Sequence, residues 1–279
     1  MHQYRVRPES LPKGKSKKHI TYLSEDDKQA MVNCYNQHFR RTHEVIAKRA
    51  SEFDRLFEKP EIKVIGYKDG EEVLGYVVFT FKQVDSENFI RNNMVIKEFV
   101  YGNREVLLEL LTFLNSQSDQ IERIIFNTQD EFFYYLLKDP RNGTNNLIPS
   151  VYHESNVSGV GLMYRIIDVR GIFEVLRNHN FGGQSCKVRF DIADTFLREN
   201  RRSVTVQFKD GQPQIANNES THKVKVSMDI SEFSSMFMGC VPFKKLYHYG
   251  LAEISDTSCI DVINKLFWTG EKPICTTEF

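Results

Sequence analysis

No apolar run in this chain of 279 residues is long enough to span a bilayer. The opening Met1-His2-Gln3-Tyr4-Arg5 has no apolar core of a signal peptide, so export is not expected and a cytoplasmic location is. Neither charge is in surplus: 37 Lys and Arg cancel 37 Asp and Glu, which argues against a dedicated nucleic-acid binder. Cysteine is sparse. Five (Cys34, Cys186, Cys240, Cys259, Cys275) are scattered and odd in number, with no C-x-x-C pair, which fits reduced thiols better than a disulfide framework. The histidines include no H-E-x-x-H, and His38 and His43, five apart, do not stack on one helical face. A catalytic metal is therefore not expected.

What is present looks globular: 41% hydrophobic and 27% charged residues, at a length that suggests two domains. The most telling stretch runs from Met94 to Asp119. An apolar strand (Met94, Val95, Ile96, Phe99, Val100) meets a polar turn (Tyr101-Gly102-Asn103-Arg104). A strongly apolar helix follows (Val106, Leu107, Leu108, Leu110, Leu111, Phe113, Leu114). Strand-to-helix turns bind anions because the free N–H groups of the helix point at the turn. A phosphate cradle usually needs several glycines, and this turn has one, Gly102.

Along the chain, residues 1–18 suggest a connector, broken by Pro8, Pro12 and Gly14 and strung with lysines. Ser24 with Asp27 predicts a helix start, and Thr42 to Glu58 a second helix ended by Lys59-Pro60. Ile62–Ile65 and Val73–Val84 flank the hairpin turn Asp69-Gly70. Ile124–Phe126 predicts a strand, Glu131–Leu137 a short helix, and Leu162–Ile167 a further strand. This is a mixed α/β layer. After Asp168 the pattern restarts. A helix holds Ile172 to Leu176, and Phe181-Gly182-Gly183 is a break. Cys186–Ile192 alternates as a strand, and Asp194–Leu197 predicts a helical turn or short helix. Ser203–Phe208 and Gln212–Ala216 form a hairpin about Asp210-Gly211, and Val224–Met228 a strand. Ser231 is the expected cap of the next helix, and Ile260–Phe267 forms the last. The second half is α+β and mainly antiparallel.

Several phrases in order carry a family resemblance. They are Phe113-Leu114, Ser116-Gln117-Ser118-Asp119-Gln120, Leu136-Leu137-Lys138-Asp139-Pro140-Arg141, Leu162-Met163-Tyr164-Arg165-Ile166-Ile167-Asp168 and the closing Glu278-Phe279. With them the chain resembles the acetyltransferases of the "enhanced intracellular survival" (Eis-like) type. Those proteins join an acetyl-CoA-binding GNAT domain, a second GNAT-like domain without cofactor binding, and a sterol-carrier-protein-2-like domain. The resemblance covers the second and third parts. It implies an α+β fold with a linker at 1–18, a degenerate GNAT-like domain at 19–167 and a sterol-carrier-like domain at 168–279. It also implies an N-terminally truncated member, because no Arg/Gln-x-x-Gly-x-Gly/Ala loop occurs here. Gly159-Val160-Gly161, which precedes a strand rather than a helix, and the turn at Gly102 come nearest, and both are more simply structural glycines.

The resemblance further implies chemistry. The α-carboxylate of Phe279 is the expected general base for an amine substrate, with Glu278 adding negative charge that attracts cations. The alternative is a frayed chain end. Acetyl-CoA is the expected donor for the complete architecture, with none bound by this chain alone. The substrate class is an amine, whether aminoglycoside, polyamine or lysine-like, and a homo-oligomer is expected. A lipid-binding or assembly module built on the sterol-carrier-like domain is the competing expectation. Among other residues, Asp130-Glu131 suits a helix cap, Cys34 a buried structural thiol and His248 a partly buried histidine. Phe233, Phe237, Phe243, Tyr247 and Phe267 suit a core, or else the lining of a lipid tunnel.

Overall fold

The computed structural model describes residues 1–39, 47–85, 88–161, 163–216, 223–270 and 272–273. They fall into two compact units, Met1–Gly161 and Leu162–Pro273.

The first unit opens with β1 (His2–Val6), a 3-10 turn over Pro8–Ser10, and β2 (Ile20–Tyr22). Ser24 then starts a helical segment, its N–H donating to Asp27 Oδ2 at 2.9 Å, and α1 (Lys28–Phe39) follows. The predicted second helix is broken. Residues 40–46 lie outside the described residues, 47–49 are irregular, and a 3-10 turn at Ala50–Phe53 leads into a short α2 (Asp54–Glu58). Asn36 accounts for the break. Its side chain accepts from the Lys48 N–H at 3.0 Å and donates to the Lys48 carbonyl at 3.1 Å, taking both groups a helix would use.

β3 (Ile62–Asp69) and β4 (Glu72–Asp85) form the expected hairpin, with Gly70 at φ +59°. β5 (Asn88–Tyr101), α3 (Arg104–Asn115) and β6 (Ile121–Thr128) follow in the predicted order. The expected Glu131–Leu137 helix is only a 3-10 turn, Phe133–Leu136. β7 (Leu147–Ile148) and β8 (Tyr152–His153) make a small hairpin before β9 (Asn156–Ser158).

Seven strands form one sheet in the order β2-β3-β4-β5-β6-β1-β9, with β5 and β6 parallel and the other neighbours antiparallel. The connector expected over residues 1–18 is thus partly an interior strand. β1 lies between β6 and β9, and Tyr4 and Val6 are 1% and 0% exposed. Five residues are too few for the alternation to stand out beside the lysines that follow. Helix α3 covers one face of the sheet, with Val106, Leu110, Leu111 and Leu114 in a core with Phe79, Met94, Ile96 and Phe126. Met31 and Tyr35 of α1, with Phe53, cover the other face over Tyr76, Val78 and Val100. A bulge at Lys97 shifts the β4–β5 register between Val78↔Glu98 and Phe79↔Ile96. It puts Phe99 and Tyr101 on the α3 side with Ile96, and leaves Glu98 and Val100 on the α1 side.

The second unit runs α4 (Val169–Val175), β10 (Cys186–Ala193), β11 (Val204–Lys209), β12 (Gln212–Ile215), β13 (Val224–Asp229), α5 (Ile230–Phe237), α6 (Phe243–His248), β14 (Ala252–Ile254) and α7 (Ile260–Leu266). Its five-stranded sheet has the order β12-β11-β10-β13-β14, antiparallel except for β10–β13. Both units are α+β. Short α6 and β14 had no sequence-level expectation. Asp229, rather than Ser231, caps α5, accepting from the Ser231 N–H at 3.0 Å.

The strand expected at Leu162–Ile167 is missing from its described residues, 163–167, because their backbone is held by side chains instead. The Ile166 N–H donates to Ser234 Oγ at 2.9 Å, and Asn200 donates to the Ile167 carbonyl at 3.3 Å. Asp194 is the hub of this region. Its Oδ1 accepts from the Phe196 and Leu197 N–H groups at 2.8 Å each, so the predicted helical turn at 194–197 is a capping turn before the 3-10 segment Arg198–Arg201. Asn200 donates to its Oδ2 at 2.9 Å, and Arg165 pairs with it. Burial alone would raise the Asp194 carboxyl. The Asn200 amide, the two N–H groups and Arg165 bring it down to about 2. Its stabilising contribution is therefore complete above the ordinary carboxylate range near about 4 and is lost as pH falls through its depressed folded value. We predict that Asp194→Asn lowers the urea midpoint at neutral pH and flattens its decline in acid. An acid decline as steep as that of the unsubstituted protein would show that Asp194 does not titrate with folding.

Candidate functional site

β5 and β6 stay paired only from Asn92↔Ile121 to Val95↔Ile125. Beyond that point β5 runs on beside β4 to Tyr101 and β6 runs on beside β1 to Thr128. The parallel strands thus part at their carboxyl ends, where open α/β sheets hold ligands. In this chain aromatic rings pack at the parting. Phe99 meets Phe126 edge-on at 6.0 Å, Phe126 lies 5.0 Å from Phe133, and Phe133 lies 4.9 Å from Tyr4. Burial, with the Asp130 charge adding to it, raises the Tyr4 hydroxyl pKa.

The turn leading into α3 is likewise engaged. The Gly102 N–H donates to the Leu74 carbonyl at 2.9 Å. Asn103 Oδ1 accepts from the Glu105 and Val106 N–H groups at 2.9 and 3.1 Å, and the Leu107 N–H reaches the Asn103 carbonyl at 3.0 Å. Asn103 is an N-cap whose side chain takes the Glu105 and Val106 donors that would otherwise be free to face an anion.

On the opposite face lies a polar cluster that the sequence did not reveal. Glu98 accepts from the Tyr76 hydroxyl at 2.8 Å and pairs with Lys48. The Lys48 ammonium also stands 4.4 Å from the Tyr35 ring centroid. Glu98 and Lys48 side chains are 7% and 12% exposed. Burial, with the Glu98 charge adding to it, pushes the Cys34 thiol up to about 12, so it is a structural thiol and a poor nucleophile. Glu98 interrupting an apolar strand was the one available signal.

Of the other singled-out residues, Asp130 caps a turn, accepting from the Phe132 N–H at 2.8 Å. His248 is exposed rather than partly buried, because α6 is short and its inward face is taken by Phe243 and Leu246. Phe233, Phe237, Phe243 and Phe267 are core, while Tyr247 is exposed. Glu278 and Phe279 lie outside the described residues. Among the described residues no cluster of His, Cys, Asp and Glu could hold a metal, and no helix is long and apolar enough to cross a membrane.

Residues 38–166 match the acetyltransferase (GNAT) domain family, and residues 172–276 match the sterol carrier protein domain family. The chain joins a GNAT domain to a sterol-carrier-protein-like domain. Solved structures share this arrangement over the whole chain. A GCN5-related N-acetyltransferase from Anabaena variabilis aligns with a TM-score of 0.75 at 14% identity, and the chain covers 67% of it. A conserved protein of unknown function from Enterococcus faecalis, described as a probable N-acyltransferase, aligns at 0.70 and 16% identity over 66% of its length. Eis1 from Mycobacterium abscessus aligns at 0.69 and 17% identity over 67% of its length. The chain thus spans about two thirds of each. At these identities the likeness is one of fold. No curated protein matches the sequence. The GNAT domain accounts for the parting strands and the strand–turn–helix, and the sterol-carrier-like domain for the phenylalanine-rich second core.

Proposed function

We propose that this chain is the non-donor part of a GNAT-type N-acetyltransferase that moves acetyl from acetyl-CoA to an amine. The observation that carries this reading is the turn into α3, whose N–H groups at 102, 105, 106 and 107 already have partners within the chain. A coenzyme diphosphate finds no such cradle there, and aromatic rings occupy the parting where the rest of the cofactor would lie. The donor site then belongs to a domain outside these residues, in keeping with the chain spanning two thirds of its structural relatives. The Phe279 α-carboxylate is the proposed base, with Glu278 beside it, for an aminoglycoside, polyamine or lysine-like amine. The free thiols Cys34, Cys186, Cys240 and Cys259 support a reducing, cytoplasmic setting. Exposed Tyr135, Ile148, Val151 and Tyr152 support self-association.

Calorimetry of this chain with acetyl-CoA is expected to show no saturable binding. Micromolar binding would overturn the reading, and light scattering on the same sample checks the homo-oligomer. Lipid carriage by the second unit is the weaker alternative. The rings of Phe173, Phe181, Phe190, Phe208, Phe233, Phe237 and Phe267 lie at 5.5–6.4 Å from their neighbours and fill the space an apolar ligand would need. Native mass spectrometry showing a co-purified lipid would favour that alternative.

A further inference from the structure

We propose that the first unit binds a phosphate group in a cavity between Arg7, Arg123 and the loop 139–146. The cavity is about 160 Å³, large enough for a phosphate and a few attached atoms. Arg7 enters it from the end of β1 and Arg123 from β6.

The two guanidinium groups are not equally provided for. Arg7 has a distant acidic neighbour, Glu9, at 3.9 Å on the exposed surface. Arg123 is half-buried and, among the described residues, makes no hydrogen bond or ion pair. Its guanidinium lies close against Gly143, where a Cβ would fall 2.1 Å from Arg123 Nη2. Gly143 has φ +80°, so the loop takes this shape readily only with glycine there.

The carboxylates lining the cavity are committed elsewhere. Asp139 holds Arg141 through two bonds of 2.8 and 2.7 Å, which brings its carboxyl down to about 2. Glu154 accepts from the Asn142 amide at 2.7 Å and the Asn146 amide at 2.9 Å. Arg123 therefore keeps up to five donors and a half-desolvated charge without an acceptor. Burial lowers its pKa and repulsion from Arg7 lowers it further, against a pull upward from the charges of Glu122, Glu9 and Asp139. An oxyanion between the two arginines would relieve both effects. Phosphate matches two forked guanidinium groups in charge and in number of oxygens better than a single carboxylate does.

The test is titration of the full chain with inorganic phosphate and with glycerol phosphate, followed by phosphorus NMR. Saturable binding of either probe is expected. Tighter binding of the ester would identify a phosphorylated small molecule as the source, and tighter binding of the free ion would identify inorganic phosphate. Arg123→Gln and Arg7→Gln should each weaken binding by about tenfold or more. If Arg123→Gln does not fold, Arg7→Gln, on an exposed side chain, carries the comparison. No saturable binding of either probe, or unchanged affinity in the folded variants, would overturn the proposal. Acetyl-CoA itself carries a phosphate ester, so its calorimetry is repeated on Arg123→Gln and Arg7→Gln: binding lost with either arginine belongs to this cavity, and binding kept by both overturns the donor-free reading instead.

Discussion

Replacing Glu98 with alanine is expected to lower unfolding free energy by about 3–5 kcal/mol. The substitution strands the Lys48 ammonium, whose side chain is 12% exposed, with its carboxylate partner gone. It also removes the acceptor of the buried Tyr76 hydroxyl. The pair's net worth is a separate matter, because desolvation offsets much of the attraction. The double variant Glu98→Leu with Lys48→Met should accordingly recover part of the loss, the Tyr76 hydroxyl still lacking its acceptor. Urea unfolding of the single and double variants separates the two cases. If Glu98→Ala costs under about 1 kcal/mol, as exposed pairs do, the cluster is solvated and its structural role is refuted.

Phe173→Ala should cost a similar amount, about 3–5 kcal/mol. Phe173 is 1% exposed and touches five other phenylalanine rings, stacking on Phe190 at 5.6 Å and 20°. Truncation opens a void that rings fixed by the sheet and by α5 cannot close. Phe173→Leu keeps most of the volume and should lose far less. A urea midpoint for the alanine variant near that of the parent would mean the ring cluster can collapse around the gap. That would reopen the case for an apolar ligand in this unit.

Long periodic elements were legible in the sequence. The β3–β4 hairpin, the β5–α3 junction and β10 all follow patterns several residues deep, so local preference and burial agree. Failures came where a single side chain decides. Asn36 binding Lys48 breaks the second helix, and nothing in the spacing of Val45, Ile46 and Phe53 announces it. Ser234 and Asn200 take the backbone of residues 166–167 and cancel a strand whose apolar run looked sound. The bulge at Lys97 turns Glu98 away from the face of Met94 and Ile96, where plain alternation would put it, so the buried ion pair depends on a register no alternation rule predicts. The glycine-poor turn was readable, but Asn103 as the group that satisfies its donors was not.

His2–Val6 takes its hydrogen bonds from β6 and β9, strands that translation delivers long afterwards. Until β6 has left the ribosome, Tyr4 and Val6 have no sheet to enter, and the growing polypeptide must shelter them by collapse or chaperone. A late-closing seam of this kind slows assembly and makes the nascent protein vulnerable to sticking. Expression yield should therefore depend on growth temperature more than the finished protein's resistance to urea would suggest.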